Sequence, residues 1–197
     1  MKLILFIFII FFSLFFKVTY SDDLDRGIVA LHEKDYKTAL YYLSYYAVLG
    51  DSKAQYNLGV MYNKGYGVNL DKKEAVGWFY LASDQGNMLA QYSLGLAYMN
   101  GDGVFKNYST AIKFFKKSAF QGHPSSQINL GNMYFKGLGT NEDFPRAHMW
   151  YSIAQQKGLD GAYQNISILE NLMNEKQISE AKLLFDSCQK VSLSNWA

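Results

Sequence analysis

The hydrophobic residues between positions 54 and 62 follow the spacing of one face of a helix. Apolar or aromatic side chains stand at i, i+4, i+7 and i+8, as Ala54, Leu58, Met61 and Tyr62. This spacing predicts an amphipathic helix. We expect it to end in the loop Gly65-Tyr66-Gly67, because glycine tolerates the left-handed conformation that closes many helices. A second helix presents Ala75, Trp78, Phe79 and Ala82 on one face, with Trp78 expected in the core. It should stop at Gly86, so the segment predicts two antiparallel helices.

This pair of helices recurs with a period of 36 residues. The positions that repeat in register are Gly50, Gly86, Gly122 and Gly158; Gly59, Gly95 and Gly131; and Ala39, Ala75, Ala111 and Ala147. Pro124 and Pro145 fall in the first turn of a predicted helix, where a missing N–H costs little. A period of this length in a helical chain predicts a stacked solenoid.

Three of the repeated glycines lie in the middle of a predicted helix. Glycine at such a position costs roughly 1 kcal/mol relative to alanine, and the cost recurs at Gly59, Gly95 and Gly131. We therefore expect another helix to cross each of them too closely for a Cβ atom.

Two segments carry a recognisable motif, AQYNLGVMYNKGYGV at 54–68 and DKKEAVGWF at 71–79. They resemble the Sel-1-like repeat, a relative of the tetratricopeptide repeat, in the loop glycines, the helix lengths and both aromatic positions. The resemblance implies an all-α fold, a right-handed alpha-alpha superhelix (solenoid) of about five antiparallel helix pairs. We expect repeats at about 22–50, 51–86, 87–122, 123–158 and 159–190, the last with a capping helix, and a tail at 191–197. The capping face should comprise Ile178, Ala181, Leu184 and Phe185.

The first 21 residues form a separate, apolar segment. Lys2 precedes a run of 14 residues, 3–16, in which only Ser13 is polar. Such a run is shorter than the roughly 18–20 residues that cross a bilayer, and it is typical of a secretory signal peptide. We predict cleavage before Asp22 and a periplasmic or secreted protein with no stable membrane insertion after cleavage. An uncleaved membrane anchor is the alternative.

Charge and composition narrow the function classes. Of the 19 basic residues, Lys2 and Lys17 belong to the first 21 residues, so 17 remain against 17 acidic ones. This balance argues against a protein that binds nucleic acid electrostatically. The single cysteine, Cys188, excludes an intramolecular disulfide framework. It lies in the predicted terminal helix, where we expect it to be packed or partly exposed and not a nucleophile.

The sequence holds none of the common catalytic motifs. It has no Gly-x-Ser-x-Gly elbow, no His-Glu-x-x-His pair and no phosphate-binding Gly-Lys-Ser loop. His32, His123 and His148 stand at three different phases of the repeat, so each is expected to be a lone polar residue. We therefore predict that the protein is not an enzyme and uses no cofactor or metal.

What remains is a surface for binding. If the first helix of each repeat lines a concave side, as in similar repeats, the inward positions are apolar or aromatic with a few amides, which suits contact with a protein or peptide. The predicted partner-binding residues are Tyr56, Val60, Asn63, Tyr92, Leu96, Met99, Ile128, Asn132 and Phe135. The alternative is that some of them only pack between neighbouring repeats. Tyr41 and Tyr45 either cover the N-terminal end or extend the contact site.

We therefore expect an exported, non-catalytic protein–protein interaction scaffold or adaptor. The resemblance also offers a cell-envelope polysaccharide or peptidoglycan-associated binder and, as the weaker alternative, a β-lactamase-like hydrolase. The hydrolase-like members carry paired cysteines in each repeat, whereas this chain has only Cys188. The envelope members often have a lipidated N-terminal cysteine, which is also missing. A glycan stays a candidate ligand because tyrosine faces stack on sugars.

Overall fold

The computed structural model describes residues 22–158 and 160–190, so the predicted signal peptide at 1–21 and tail at 191–197 lie outside the described residues. The described residues form ten helices and no strand. In chain order these are α1 (22–32), α2 (Tyr36–Val48), α3 (Ser52–Lys64), α4 (Lys72–Asp84), α5 (Met88–Asn100), α6 (Tyr108–Phe120), α7 (Pro124–Lys136), α8 (Phe144–Gln155), α9 (Asp160–Leu172) and α10 (Glu175–Lys190). None of the helices within those ranges is long and apolar enough to cross a membrane.

The helix boundaries are set by local chemistry that repeats every 36 residues. Helices α3, α5 and α7 begin at the N-caps Asp51, Asn87 and His123, whose side chains accept hydrogen bonds from backbone N–H groups of the first turn. The same helices end at Gly65, Gly101 and Gly137, with φ values of 69°, 84° and 62°. Pro124 is the first residue of α7, and Pro145 lies in the first turn of α8. The predicted helix ends and proline positions are therefore confirmed.

The helices form two compact units, divided between Gln85 and Gly86. In the N-terminal unit, α3 packs against both α2 and α4, and the core is centred on Leu43, Leu58 and Met61. In the C-terminal unit, α5 packs on α6, α7 on α6 and α8, and α8 on α9 and α10. The core of this second unit combines aromatic rings from α6 and α8 with aliphatic side chains.

The three mid-helix glycines lie against buried aromatic rings, which confirms the predicted close approach. A Cβ atom would lie 2.6 Å from the Phe79 ring if added to Gly59, 2.5 Å from Phe115 if added to Gly95, and closer still to Tyr151 if added to Gly131. Real Cβ atoms essentially never come within 3.0 Å of such neighbours. Each glycine therefore provides the space in which a ring from the following helix is seated.

Trp78 does not occupy the core position expected for it. Phe79 is 4% exposed and lies over Gly59, whereas Trp78 is half-buried and packs at the margin of the N-terminal core. The reason is geometric, since consecutive helical positions point about 100° apart and only one of the two rings can fill the space above the glycine.

Paired glutamines join the two helices of one hairpin to each other and to the turn that precedes them. Gln85 Nε2 donates to Gln55 Oε1 at 2.8 Å and to the Gly50 carbonyl at 2.9 Å, and Gln121 Nε2 donates to Gln91 Oε1 at 2.7 Å and to the Gly86 carbonyl at 2.9 Å. One repeat later, the exposed Lys157 stands where a third donor glutamine would be. The buried Oε1 of Gln127 consequently has no hydrogen-bond partner in the described part of the chain.

Helix α10 closes the C-terminal unit by packing against α8. Ala181 is buried, and Leu184 and Phe185 pack partly buried against the same core, as the predicted capping face requires. Ile178 departs from that prediction because it is 38% exposed. Cys188 is buried in the same helix, which is the first of the two placements expected for it.

Candidate partner-binding face

The nine residues predicted to bind a partner share one level of exposure. All are half-buried: Tyr56, Val60, Asn63, Tyr92, Leu96, Met99, Ile128, Asn132 and Phe135. The first three lie on α3 in the N-terminal unit, and the other six lie on α5 and α7 in the C-terminal unit. A half-buried side chain is held by neighbours on one side and presents the rest of its surface to solvent.

In the C-terminal unit the apolar members of this set rest directly on the core. Tyr92, Leu96, Met99, Ile128 and Phe135 all pack against the buried cluster that contains Phe115 and Tyr151. Phe135 also lies 5.7 Å from the ring of Phe144, measured between centroids. Packing of this kind restricts the rotamers of the side chains before any partner arrives, which lowers the entropic cost of binding.

The two tyrosines of the set occupy equivalent environments in the two units. Tyr56 lies 5.9 Å from Phe79, and Tyr92 lies 6.0 Å from Phe115, between ring centroids. Tyr92 also contacts the imidazole of His123, with a centroid distance of 4.5 Å. Each tyrosine thus packs against a buried phenylalanine, and that phenylalanine lies over the mid-helix glycine of the helix that carries the tyrosine. The inner side of each tyrosine therefore contributes to packing.

Asn132 has a structural hydrogen bond that the sequence did not predict. Its Oδ1 accepts from the hydroxyl of Tyr151 at 2.7 Å. Burial raises the pKa of Tyr151 to about 12, so the hydroxyl stays protonated and donates at neutral pH. Asn132 therefore joins α7 to α8 in addition to lying on the predicted face.

His123 is not the lone polar residue that was expected. As the N-cap of α7, its Nδ1 accepts from the backbone N–H of Ser126 at 3.2 Å and lies 3.0 Å from the Ser126 hydroxyl oxygen. That hydroxyl donates to Ser118 Oγ at 2.9 Å, and Ser118 donates to a main-chain carbonyl of α5 at 2.9 Å. Burial lowers the pKa of His123, which favours the neutral imidazole that this capping role needs. The signal in the sequence was its phase, since Asp51 and Asn87 are the N-caps at the two preceding equivalent positions.

His148 also has partners, so the same expectation is wrong for it. Its Nε2 lies 3.3 Å from a carboxylate oxygen of Glu170, and its Nδ1 lies 3.3 Å from the hydroxyl of Ser152. The first contact joins α8 to α9.

Reactive chemistry is sparse in the part of the chain that the structure describes. Cys188 is 3% exposed, and burial raises the pKa of its thiol, so the reactive thiolate is disfavoured. Across residues 22–158 and 160–190, no three His, Cys, Asp or Glu side chains come together in a group that could hold a metal ion.

Known proteins share both the repeats and the fold. The family model of the Sel1 repeat matches residues 26–47, 52–87, 89–123 and 124–159, more than half of the chain. A solved Sel1 repeat protein from Oxalobacter formigenes is 28% identical, with a TM-score of 0.73, over 84% of this chain and 75% of that one. A protective antigen of uropathogenic Escherichia coli strains, which displays an SLR fold, is 31% identical with a TM-score of 0.72. The match to this antigen covers 84% of this chain and 37% of the antigen. No curated protein matches the sequence.

The predicted fold class is confirmed by these two structures together with the all-helical hairpins of the described residues. The four matches to one repeat model cover most of residues 26–159 and therefore assign the family. The chain belongs to the Sel1 repeat family.

Proposed function

We propose that this Sel1 repeat protein is a non-catalytic interaction scaffold or adaptor that binds a protein or peptide through the nine half-buried residues of α3, α5 and α7. Sel1 repeat proteins typically bind protein partners. The observation that carries the proposal is the row of apolar side chains in the C-terminal unit that rest on the core with part of their surface open. Large aromatic side chains such as Tyr92 are frequent anchors of protein interfaces.

The composition of these nine residues favours a partner segment with apolar side chains. None of the nine is charged, and the set includes two tyrosines, a phenylalanine and a methionine. An aromatic anchor at the centre of an interface contributes about 2 kcal/mol or more, and methionine adapts its shape to the partner. Asn63 and Asn132 supply the amides that can recognise a partner's backbone.

The N-terminal unit repeats the same chemistry one repeat earlier in the chain. Tyr56 and Tyr92 stand 36 residues apart, and each leans on an equivalent core phenylalanine. Each unit therefore offers the same type of aromatic side chain to a partner.

We also propose that the protein is exported to the periplasm or the medium after removal of residues 1–21. The support is the short apolar run behind Lys2 and the small residue Ser21 at the expected cleavage point. Intact mass measurement on protein recovered from those compartments should give a chain that begins at Asp22. Full-length chain found in the membrane fraction would contradict the proposal.

Site-specific photo-crosslinking tests the binding face. Tyr92 or Phe135 is replaced by the photoreactive residue benzoylphenylalanine in the full chain, expressed in its own cells, because an aromatic replacement keeps most of the packing. We expect an adduct that protease digestion removes. Matched control sites are Phe105, 97% exposed in a loop, and Tyr163, 65% exposed on α9.

Three results distinguish the functions. Adducts at the face and none at the controls support the scaffold. Adducts only at the controls would place the contact elsewhere. An adduct at the face that resists protease but yields to glycan-cleaving enzymes would favour the polysaccharide or peptidoglycan binder.

A further inference from the structure

The outer side of α2 carries a row of exposed apolar side chains. Tyr41, Tyr45, Val48 and Leu49 are 72%, 60%, 77% and 58% exposed. Their spacing of i, i+4, i+7 and i+8 places them on one side of the helix, and we call them the α2 stripe. Contiguous exposed apolar patches of this kind usually mark an interaction site.

The repeat fold does not require the α2 stripe. At the positions equivalent to Tyr41, the following repeats have Gly77 and Lys113. For Tyr45 the equivalent residues are Leu81 and Lys117. Since later helix pairs form without these aromatics, the tyrosines of the first pair need another explanation.

The two exposed tyrosine rings are held in place by their inner neighbours. Tyr41 meets Tyr42 edge to face, with centroids 5.1 Å apart and an interplanar angle of 82°. Tyr45 meets Tyr46 in the same way, at 5.2 Å and 85°, and Tyr46 is only 5% exposed. Preorganised rings lose little conformational entropy when a ligand covers them.

An acidic groove between α1 and α2 adjoins the stripe. Tyr42 lines this groove and contacts Tyr41, so the two surfaces are continuous. The charged side chains of the groove are Asp22, Asp25, Glu33, Asp35 and Arg26. Four carboxylates thus face one guanidinium, which itself lies 3.4 Å from Asp23 outside the groove. Val29, 51% exposed, adds an apolar surface among these charges.

We propose that the α1–α2 pair docks a basic amphipathic helix of a partner protein. Its apolar side would cover the α2 stripe, and its lysine or arginine side chains would enter the acidic groove, where opposite charge selects the partner and speeds its association. The stems of those side chains can pack on the tyrosine rings, and their charged ends can make cation–π contacts. This docking surface uses none of the nine residues of the proposed scaffold face, so either proposal can fail without the other.

The test is a binding titration of the purified full chain with a fluorescent 14-residue helical peptide that has leucine on one side and lysine along the edge of that side. A peptide with glutamate in place of lysine is the matched probe. We expect saturable binding of the lysine peptide only. The double variant Tyr41→Ser, Tyr45→Ser should weaken it about tenfold or more. The double variant Asp25→Asn, Glu33→Gln should weaken it more at low salt than at high salt, because salt screens exposed charges.

Two surface variants serve as controls, and circular dichroism verifies that every variant is folded. Tyr163→Ser removes an equally exposed tyrosine from α9, and Glu180→Gln removes an exposed carboxylate from α10. Both should bind the lysine peptide as the wild type does. Equal binding of the glutamate peptide, or an equal loss in the control variants, would overturn the proposal. Failure to bind the peptide, with a sedimenting dimer that the double tyrosine variant abolishes, would assign the stripe to a second copy of this chain and also overturn it.

Discussion

Replacing Gly95 by alanine is expected to destabilise the C-terminal unit even though alanine is the better helix former. The new Cβ would lie 2.5 Å from the ring of Phe115, whereas ordinary contacts begin at 3.4 Å. Phe115 is 0% exposed, so neither the ring nor α5 can move by the required distance without displacing the surrounding core. A shift of about 1 Å belongs to the upper part of the roughly 1–3 kcal/mol range for overpacking. The higher helix propensity of alanine offsets about 1 kcal/mol of this cost. The free energy of unfolding should therefore fall by about 2 kcal/mol.

Gly77→Ala is the matched control, and it should raise the free energy of unfolding where Gly95→Ala lowers it. Gly77 also lies inside a helix, but it is exposed, and an added Cβ would meet nothing within 4 Å. The substitution then changes only the helix propensity, so this variant should be more stable than the wild type by about 1 kcal/mol.

Urea and thermal unfolding, followed by far-ultraviolet circular dichroism, measure both effects. For a chain of this size, 1 kcal/mol corresponds to about 2–4 °C in Tm. Gly95→Ala should therefore melt about 4–8 °C lower, and Gly77→Ala about 2–4 °C higher. In a Phe115→Leu background the cost of Gly95→Ala should shrink, because the two sites interact directly. A Gly95→Ala protein as stable as the wild type would refute the explanation of the mid-helix glycines.

Three further predictions concern single side chains. Lys157→Gln should supply the missing donor to the buried Gln127 Oε1 and raise the free energy of unfolding by about 1–3 kcal/mol; an unchanged urea midpoint would show that the glutamine pairing cannot extend to this repeat. His123 has a folded-state pKa below its ordinary value of 6.5. On acidification the unfolded chain therefore takes up the proton first. Stability is lost as the pH falls from about 6.5 through the folded-state pKa. His123→Asn, which keeps a good N-cap, should flatten that part of the curve of Tm against pH, and parallel curves for the two proteins would contradict the assignment. Cys188, buried with a raised thiol pKa, should react with maleimide only after unfolding, and rapid labelling of the native protein would count against it.

The sequence by itself determined the local architecture of this protein. The C-terminal end of a helix depends on a few neighbouring residues, so the 36-residue recurrence of glycines is sufficient to predict where the helices end. The mid-helix glycines even indicated close packing, because their cost in helix propensity needs compensation at each of three equivalent positions.

Only the tertiary structure decided which side chains meet across helices. Whether Phe79 or Trp78 would lie over Gly59 depends on the rotation of α4 against α3, which local propensities do not specify. The bond between Asn132 and Tyr151 likewise joins residues 19 positions apart on two helices. The relay from His123 to Ser118 crosses from α7 to α6 in the same way. Such contacts depend on distances between packed surfaces, and the repeat pattern predicts the surfaces without predicting how the individual side chains interlock.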